Sequence, residues 1–127
     1  MLIYGQSLGG HTAVLLAAEV GAACNGLIVE GAFNSYDDIA ASSTKAGFLA
    51  RIATKGGAAA KERIAEVKVP VLVIHSREDA TVPFAMGEEL FRNAPEPKQF
   101  MEVSGRHCAA PVLFADTLGA RIMEFFR

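Results

Sequence analysis

The sequence predicts an α/β fold built on a partial, doubly wound parallel sheet, and three observations predict it. Short β-branched apolar runs alternate with longer helix-compatible stretches, which is the rhythm of strand–helix–strand units. Leu27-Ile28-Val29 and Val71-Leu72-Val73-Ile74 are apolar without interruption, as strands covered on both faces are. Glycine and proline punctuate the joints between runs, and no internal repeat, low-complexity tract or second domain breaks the pattern, so residues 1–127 are read as one domain.

Leu2 to Tyr4 reads as the end of a strand, and Leu8 to Val20 as a helix stopped by Gly21. Gly26 to Glu30 is the second strand. Asn34 or Ser35 then caps a short polar helix running to about Ser43, with Asp37 and Asp38 early in it, where negative charge suits the helix dipole. From Thr44 to Ala60 the chain carries Gly47, Gly56 and Gly57 with little periodicity, and a small lid or cap above the sheet is expected there. Lys61 to Val67 is a brief helix or turn. Val69-Pro70 opens the strongest strand, Val71 to His75, and Val82-Pro83 leads into an amphipathic helix from Phe84 to Asn93 with Phe84, Leu90 and Phe91 as core candidates. Lys98 to Val103 is a further strand, and Ala110 to Phe126 a closing helix.

Composition narrows the function classes. With 51% apolar and 20% charged residues in 127, the chain can bury a core of its own. Twelve basic against fourteen acidic side chains, without a dense Lys/Arg cluster, leave no electrostatic footprint for nucleic acid. No apolar run approaches the length of a bilayer span, and no basic segment with a signal core opens the chain, so a cytoplasmic protein is expected. Cys24 and Cys108 lack C-x-x-C spacing and read as free, buried thiols rather than a zinc site or a disulfide.

The chemistry starts at Gly5-Gln6-Ser7-Leu8-Gly9. A G-x-S-x-G between a strand and a helix throws the serine Oγ out on a tight, strained turn, and the glycines keep bulk away from that turn. A serine hydroxyl needs a neighbouring base. His11 follows one turn along the same helix and is expected to face solvent or pack locally; His75 closes a strand, lining the mouth of the site or merely ending the strand. His107, in Ser104-Gly105-Arg106-His107, sits in a loop after a strand, where the carboxyl edge of a sheet projects it, and is the preferred base. Asp79, in the loop after the strongest strand, is the preferred acid to orient the imidazole, which makes the chain order Ser, Asp, His.

With these residues in view, the chain resembles the C-terminal half of an α/β-hydrolase, beginning at the nucleophile strand, and is most similar to the BEM46-like and ABHD12/ABHD13-like serine hydrolases. The resemblance rests on Tyr4 to Gly10, Gly26 to Phe33, Val69 to His75 with Asp79 and Val82-Pro83, and Gly105-Arg106-His107. It implies Ser7 as nucleophile, Asp79 as acid, His107 as base and the backbone N–H of Leu8 as an oxyanion donor, acting on a small or medium acyl ester. It implies no cofactor and no metal.

Glu30, at the same carboxyl edge, is a rival to Asp79 unless it hydrogen-bonds loop backbone; Glu78 is expected to be solvated, and Cys108 to fill space rather than react. Complete members of the resembled group also have the strands and helices that precede the nucleophile strand, and the loop that supplies a second oxyanion donor, whose loss costs on the order of 10² to 10³ in rate. The expectation is therefore a fragment of a longer hydrolase, or a half-length protein whose open strand edge is covered by a second copy or by another chain; a non-catalytic remnant or interaction module of the same fold is the alternative.

Overall fold

The computed structural model describes residues 1–42 and 58–127. Four strands, β1 (Leu2–Gln6), β2 (Gly26–Glu30), β3 (Val71–Ser76) and β4 (Lys98–Val103), form a wholly parallel sheet in the order β1-β2-β3-β4. The helices are α1 (Leu8–Val20), α2 (Tyr36–Ala41), α3 (Ala60–Arg63), α4 (Phe84–Asn93), α5 (Ala110–Leu113) and α6 (Ala115–Phe125), with short 3₁₀ turns at Gly21–Ala23 and Ile64–Glu66.

Two cores result, one on each face, because side chains alternate across a strand. Leu27, Val29, Val71 and Val73 pack with Val14 and Ala17 of α1, Ala60 of α3, Ile64 and Leu90 of α4. Ile28, Leu72 and Ile74 face the other way, onto Ala110 of α5 and Leu118 of α6. This explains the unbroken apolar runs: every residue of β2 and β3 is buried. β1 is bonded on one side only, and its Leu2 and Tyr4 remain 39% and 44% exposed.

Several expectations are refined. The first strand extends through Gln6 and the third through Ser76. Ser35 caps α2, its Oγ accepting from the Asp38 N–H at 3.0 Å, while Asp38 pairs with Lys61 at 2.5 Å. In α4 the core positions are Met86, Gly87 and Leu90; Phe84 and Phe91 are half-buried and stack edge-to-face with Phe100 of β4. The closing helix is two, broken at Phe114, whose backbone leaves the helical region at φ −131° and ψ 29°. The lid expected over Thr44 to Ala60 falls mostly on residues 43–57, outside the described residues; Ala60 itself begins α3 and is fully buried.

His11 does not face solvent. It is 1% exposed, stacked on Phe33 at 5.0 Å and edge-on to Tyr36 at 4.8 Å, and its Nε2 has no hydrogen-bond partner among the described residues. Burial holds its pKa below the ordinary value, since the imidazolium would lose its hydration. The unfolded chain takes up this proton near the usual pH of about 6.5 and the folded chain resists it. Stability therefore falls as pH drops below that point, by at most about 1.4 kcal/mol per pH unit for one proton. Urea midpoints measured across that range should show the slope, and His11→Leu should remove its His11 share.

Candidate active site

The parallel register brings four loop mouths to one edge: Ser7 follows β1, Gly31 follows β2, Asp79 lies just beyond β3 and His107 just beyond β4. Ser7 stands between β1 and α1 with φ 52° and ψ −119°, and its amide extends the ladder to the Glu30 carbonyl at 2.9 Å. Among the described residues only Ser7 and Cys108 (φ 53°) are non-glycine residues in the left-handed region. Such conformations cost energy and persist where the surroundings impose them.

Of the two glycines in the motif only one works sterically. A Cβ on Gly5 would lie 2.2 Å from the Gly9 carbonyl oxygen and 2.8 Å from the Ala13 Cβ, whereas a Cβ on Gly9 would meet nothing within 4 Å. Gly5→Ala should cost about 3 kcal/mol through this overlap, while Gly9→Ala, on the open face of α1, should be neutral or gain up to about 1 kcal/mol. Paired denaturation curves check the contrast.

Asp79 is 9% exposed and uses both oxygens. Oδ1 accepts from the Thr81 and Val82 amides, each at 2.8 Å, and Oδ2 accepts from His107 Nδ1 at 2.6 Å. His75 Nε2 lies 3.5 Å from the same Oδ2 and donates to the Val82 carbonyl at 3.0 Å, so His75, 1% exposed, backs the Asp79 loop from below and does not line a mouth. Burial pushes the Asp79 pKa up, but hydrogen bonds from His107, His75 and the two amides outweigh it and hold the carboxyl well below the usual range. The Asp79 bond, followed by the Cys108 contact, raises His107 to about 10. The stabilisation this gives is complete below about pH 6.5 and is lost as pH rises through about 10, on the opposite side of neutrality from the His11 slope.

The carboxylate holds a proton on Nδ1 and leaves Nε2 facing outward. There it meets Cys108 Sγ at 3.4 Å. The Ser7 hydroxyl hydrogen-bonds to none of the described residues, so the structure joins Asp79 to His107 but not His107 to Ser7. What connects them is the Glu30 carbonyl oxygen, which accepts both the Ser7 amide and the Cys108 thiol, the latter at 3.5 Å. The Leu8 amide opens α1, where a helix's first N–H groups have no partner within the helix.

Glu30 has a different place from Asp79. Only 2% exposed, it accepts from the Tyr4 hydroxyl, from Gln6 Nε2 at 2.7 Å and from the Ala110 amide at 3.0 Å. Burial, then the bond to Glu30, raises the Tyr4 pKa. Glu30 thus ties β1 to the loop that carries His107. Glu78 is exposed, yet it accepts from the Gly105 amide at 2.7 Å and steadies that loop from outside. Cys24 is a free, buried thiol as expected, but Cys108 is free and only half-buried. The alternative read for Glu30, hydrogen bonding to backbone, matches its bond from the Ala110 amide; its bonds from Tyr4 and Gln6, the His75 support and the Cys108 contact were missed by reading the sequence, where only Cys108 carried a signal, its adjacency to His107.

The architecture is that of the α/β-hydrolase fold. An esterase domain from Rhodothermus marinus superimposes with a TM-score of 0.73 at 20% identity, over 99% of this chain and 61% of its own. An esterase from Pyrococcus furiosus gives 0.78 at 15% identity, over 98% and 51%. A meta-cleavage product hydrolase from Pseudomonas fluorescens gives 0.70 at 17% identity, over 97% and 63%. In sequence, an uncharacterized protein of Mycobacterium tuberculosis, found in two strains, is 35% identical over 102 residues, which is 80% of this chain. The chain spans 35% of that relative's length. No protein-family model matches it.

Proposed function

We propose that the chain carries the catalytic residues of a serine hydrolase of the BEM46-like kind, with Ser7 as nucleophile, His107 as base and Asp79 as orienting acid, acting on small or medium acyl esters. The observation that carries this reading is the 2.6 Å contact between Asp79 and His107 Nδ1, at the sheet edge where the strained Ser7 turn also stands. His107 Nε2 takes the hydroxyl proton as Ser7 Oγ attacks the ester carbonyl, and returns it to the leaving alkoxide. The Leu8 amide donates to the tetrahedral oxyanion. Water then attacks the acyl-enzyme carbon with His107 again as base, and the acid product leaves. The base must be neutral to act, so the rate should rise with pH toward about 10.

Structural kinship with esterases and a hydrolase supports the reaction class. The open side of β1 is, in this reading, the place for more sheet, supplied by a longer chain or by a second copy. The alternative, a non-catalytic module, draws on the absent Ser7–His107 hydrogen bond. A fluorophosphonate probe separates the two: the expected result is a covalent adduct on the Ser7 peptide together with p-nitrophenyl ester hydrolysis. Folded protein that takes no label, or takes it on another residue, overturns the assignment. Among the described residues no helix is long and apolar enough to cross a membrane.

A further inference from the structure

We propose that Cys108 is a second nucleophile at this edge, an oxidation site for hydroperoxides that shares its base with Ser7. The cluster is a thiol, an imidazole and a carboxylate in line: Cys108 Sγ is 3.4 Å from His107 Nε2, and His107 Nδ1 is 2.6 Å from Asp79 Oδ2. This is the nucleophile, base and orienter arrangement that activates a weak nucleophile, here assembled around sulfur. The packing is specific. Gly31, at φ 54°, leaves room that a Cβ would close, since that atom would stand 2.9 Å from Cys108 Sγ and 3.0 Å from His107 Cε1. Cys108 itself is held at a left-handed φ of 53° to place the sulfur there. Once His107 is neutral, its Nε2 and the Glu30 carbonyl at 3.5 Å are both acceptors within reach of the single S–H proton, so moving that proton onto the imidazole then needs no rearrangement.

The step balances with a hydroperoxide as oxidant. Sγ attacks the outer peroxide oxygen, the S–O bond forms as the O–O bond breaks, and the thiol proton passes through Nε2 to the departing oxygen. The products are a sulfenic acid and water or an alcohol. The sulfenic O–H then hydrogen-bonds to Nε2, which can no longer accept the Ser7 proton. A thiol reductant reverses the change. Cys24 is the internal control, being 3% exposed with its Sγ bonded to the Gly21 carbonyl and, among the described residues, to no histidine.

The oxidation stands on the thiol–imidazole geometry alone; its effect on Ser7 rests on the serine hydrolase reading. The test treats the folded chain with hydrogen peroxide and dimedone and follows both cysteine peptides by mass spectrometry. The expected result is a dimedone adduct on Cys108 and none on Cys24, forming about 100-fold more slowly in His107→Gln, the lower range for loss of a positioned proton acceptor. To separate loss of the base from loss of the fold, the second comparison is the unaltered chain in urea, where Cys108 should react more slowly than in the native chain. Equal rates in both comparisons, or capture on Cys24 alone, overturn the proposal. Fluorophosphonate labelling of Ser7 should fall at least about tenfold after peroxide, return with dithiothreitol, and survive peroxide in Cys108→Ala. Labelling that persists with Cys108 fully oxidised overturns the link to Ser7. A chain that never labels at Ser7 defeats the serine reading instead, and the dimedone rates alone then decide Cys108.

Discussion

Asp79→Asn should lower ester turnover by about 10⁴ while leaving the secondary structure in place. The asparagine carbonyl can still accept from the Thr81 and Val82 amides, so the turn after β3 survives. Its amide would then face His107 Nδ1, and two N–H donors cannot share that 2.6 Å contact. The imidazole answers by moving its proton to Nε2, which then cannot take the Ser7 proton. The same substitution removes the main prop of the raised His107 pKa, so the rising limb of the rate profile should move down from about 10 toward the ordinary histidine value. A pH profile of kcat/KM, with circular dichroism on the variant, reads both effects. Near-normal turnover with an unmoved limb would remove Asp79 from the mechanism.

Glu30→Leu should cost about 4 kcal/mol, the largest stability loss expected of any single side chain here. Three donors converge on the carboxyl: the Tyr4 hydroxyl, the Gln6 amide and the Ala110 backbone N–H. Leucine fills the space and leaves all three without this acceptor, the Ala110 N–H in a buried position where water does not readily replace it. Glu30→Gln should cost less, because its carbonyl still accepts once or twice while its NH₂ opposes the remaining donor. Urea unfolding of the two variants gives the ranking; losses of equal size would mean that charge rather than hydrogen bonding dominates. Among the described residues β1 has no strand on its other side, so its attachment to the His107 loop leans on this hub more than an inner strand would.

The elements that could be read from the sequence are those whose local signals agree with their surroundings. Leu8–Val20, Gly26–Glu30, Phe84–Asn93 and Lys98–Val103 have the expected bounds, because glycine and proline mark their ends. The closing helix was read as one because nothing in Pro111-Val112-Leu113-Phe114 signals a stop; at the break, Phe114 packs against the core that contains Ile28, Leu72 and Leu118. His11 was misplaced for a related reason. A histidine on an exposed-looking helix turn becomes core only when Phe33 and Tyr36, beyond β2, arrive on top of it. Of the three core candidates on the helix Phe84–Asn93, Leu90 is buried as expected, while Phe84 and Phe91 are only half-covered, since among the described residues β4 is the last strand of the sheet and leaves its outer flank open.

The candidate site divides the same way. Ser7, Asp79 and His107 could be named from the linear chain because each follows a strand, and parallel strands deliver their carboxyl ends to one edge whatever the details of packing. The preference for Asp79 over Glu30 agrees with the contact to the imidazole, but the other contacts could not be read. That His75 stands under Asp79 and that Cys108 rather than Ser7 occupies Nε2 are decided by loop conformations over distances of a few ångströms. Periodicity and punctuation determine strands and helices through local backbone sterics and burial, and so determine the edge; hydrogen bonds between residues as far apart as Glu30 and Ala110 depend on how the finished layers settle against one another, and only the tertiary structure contains that.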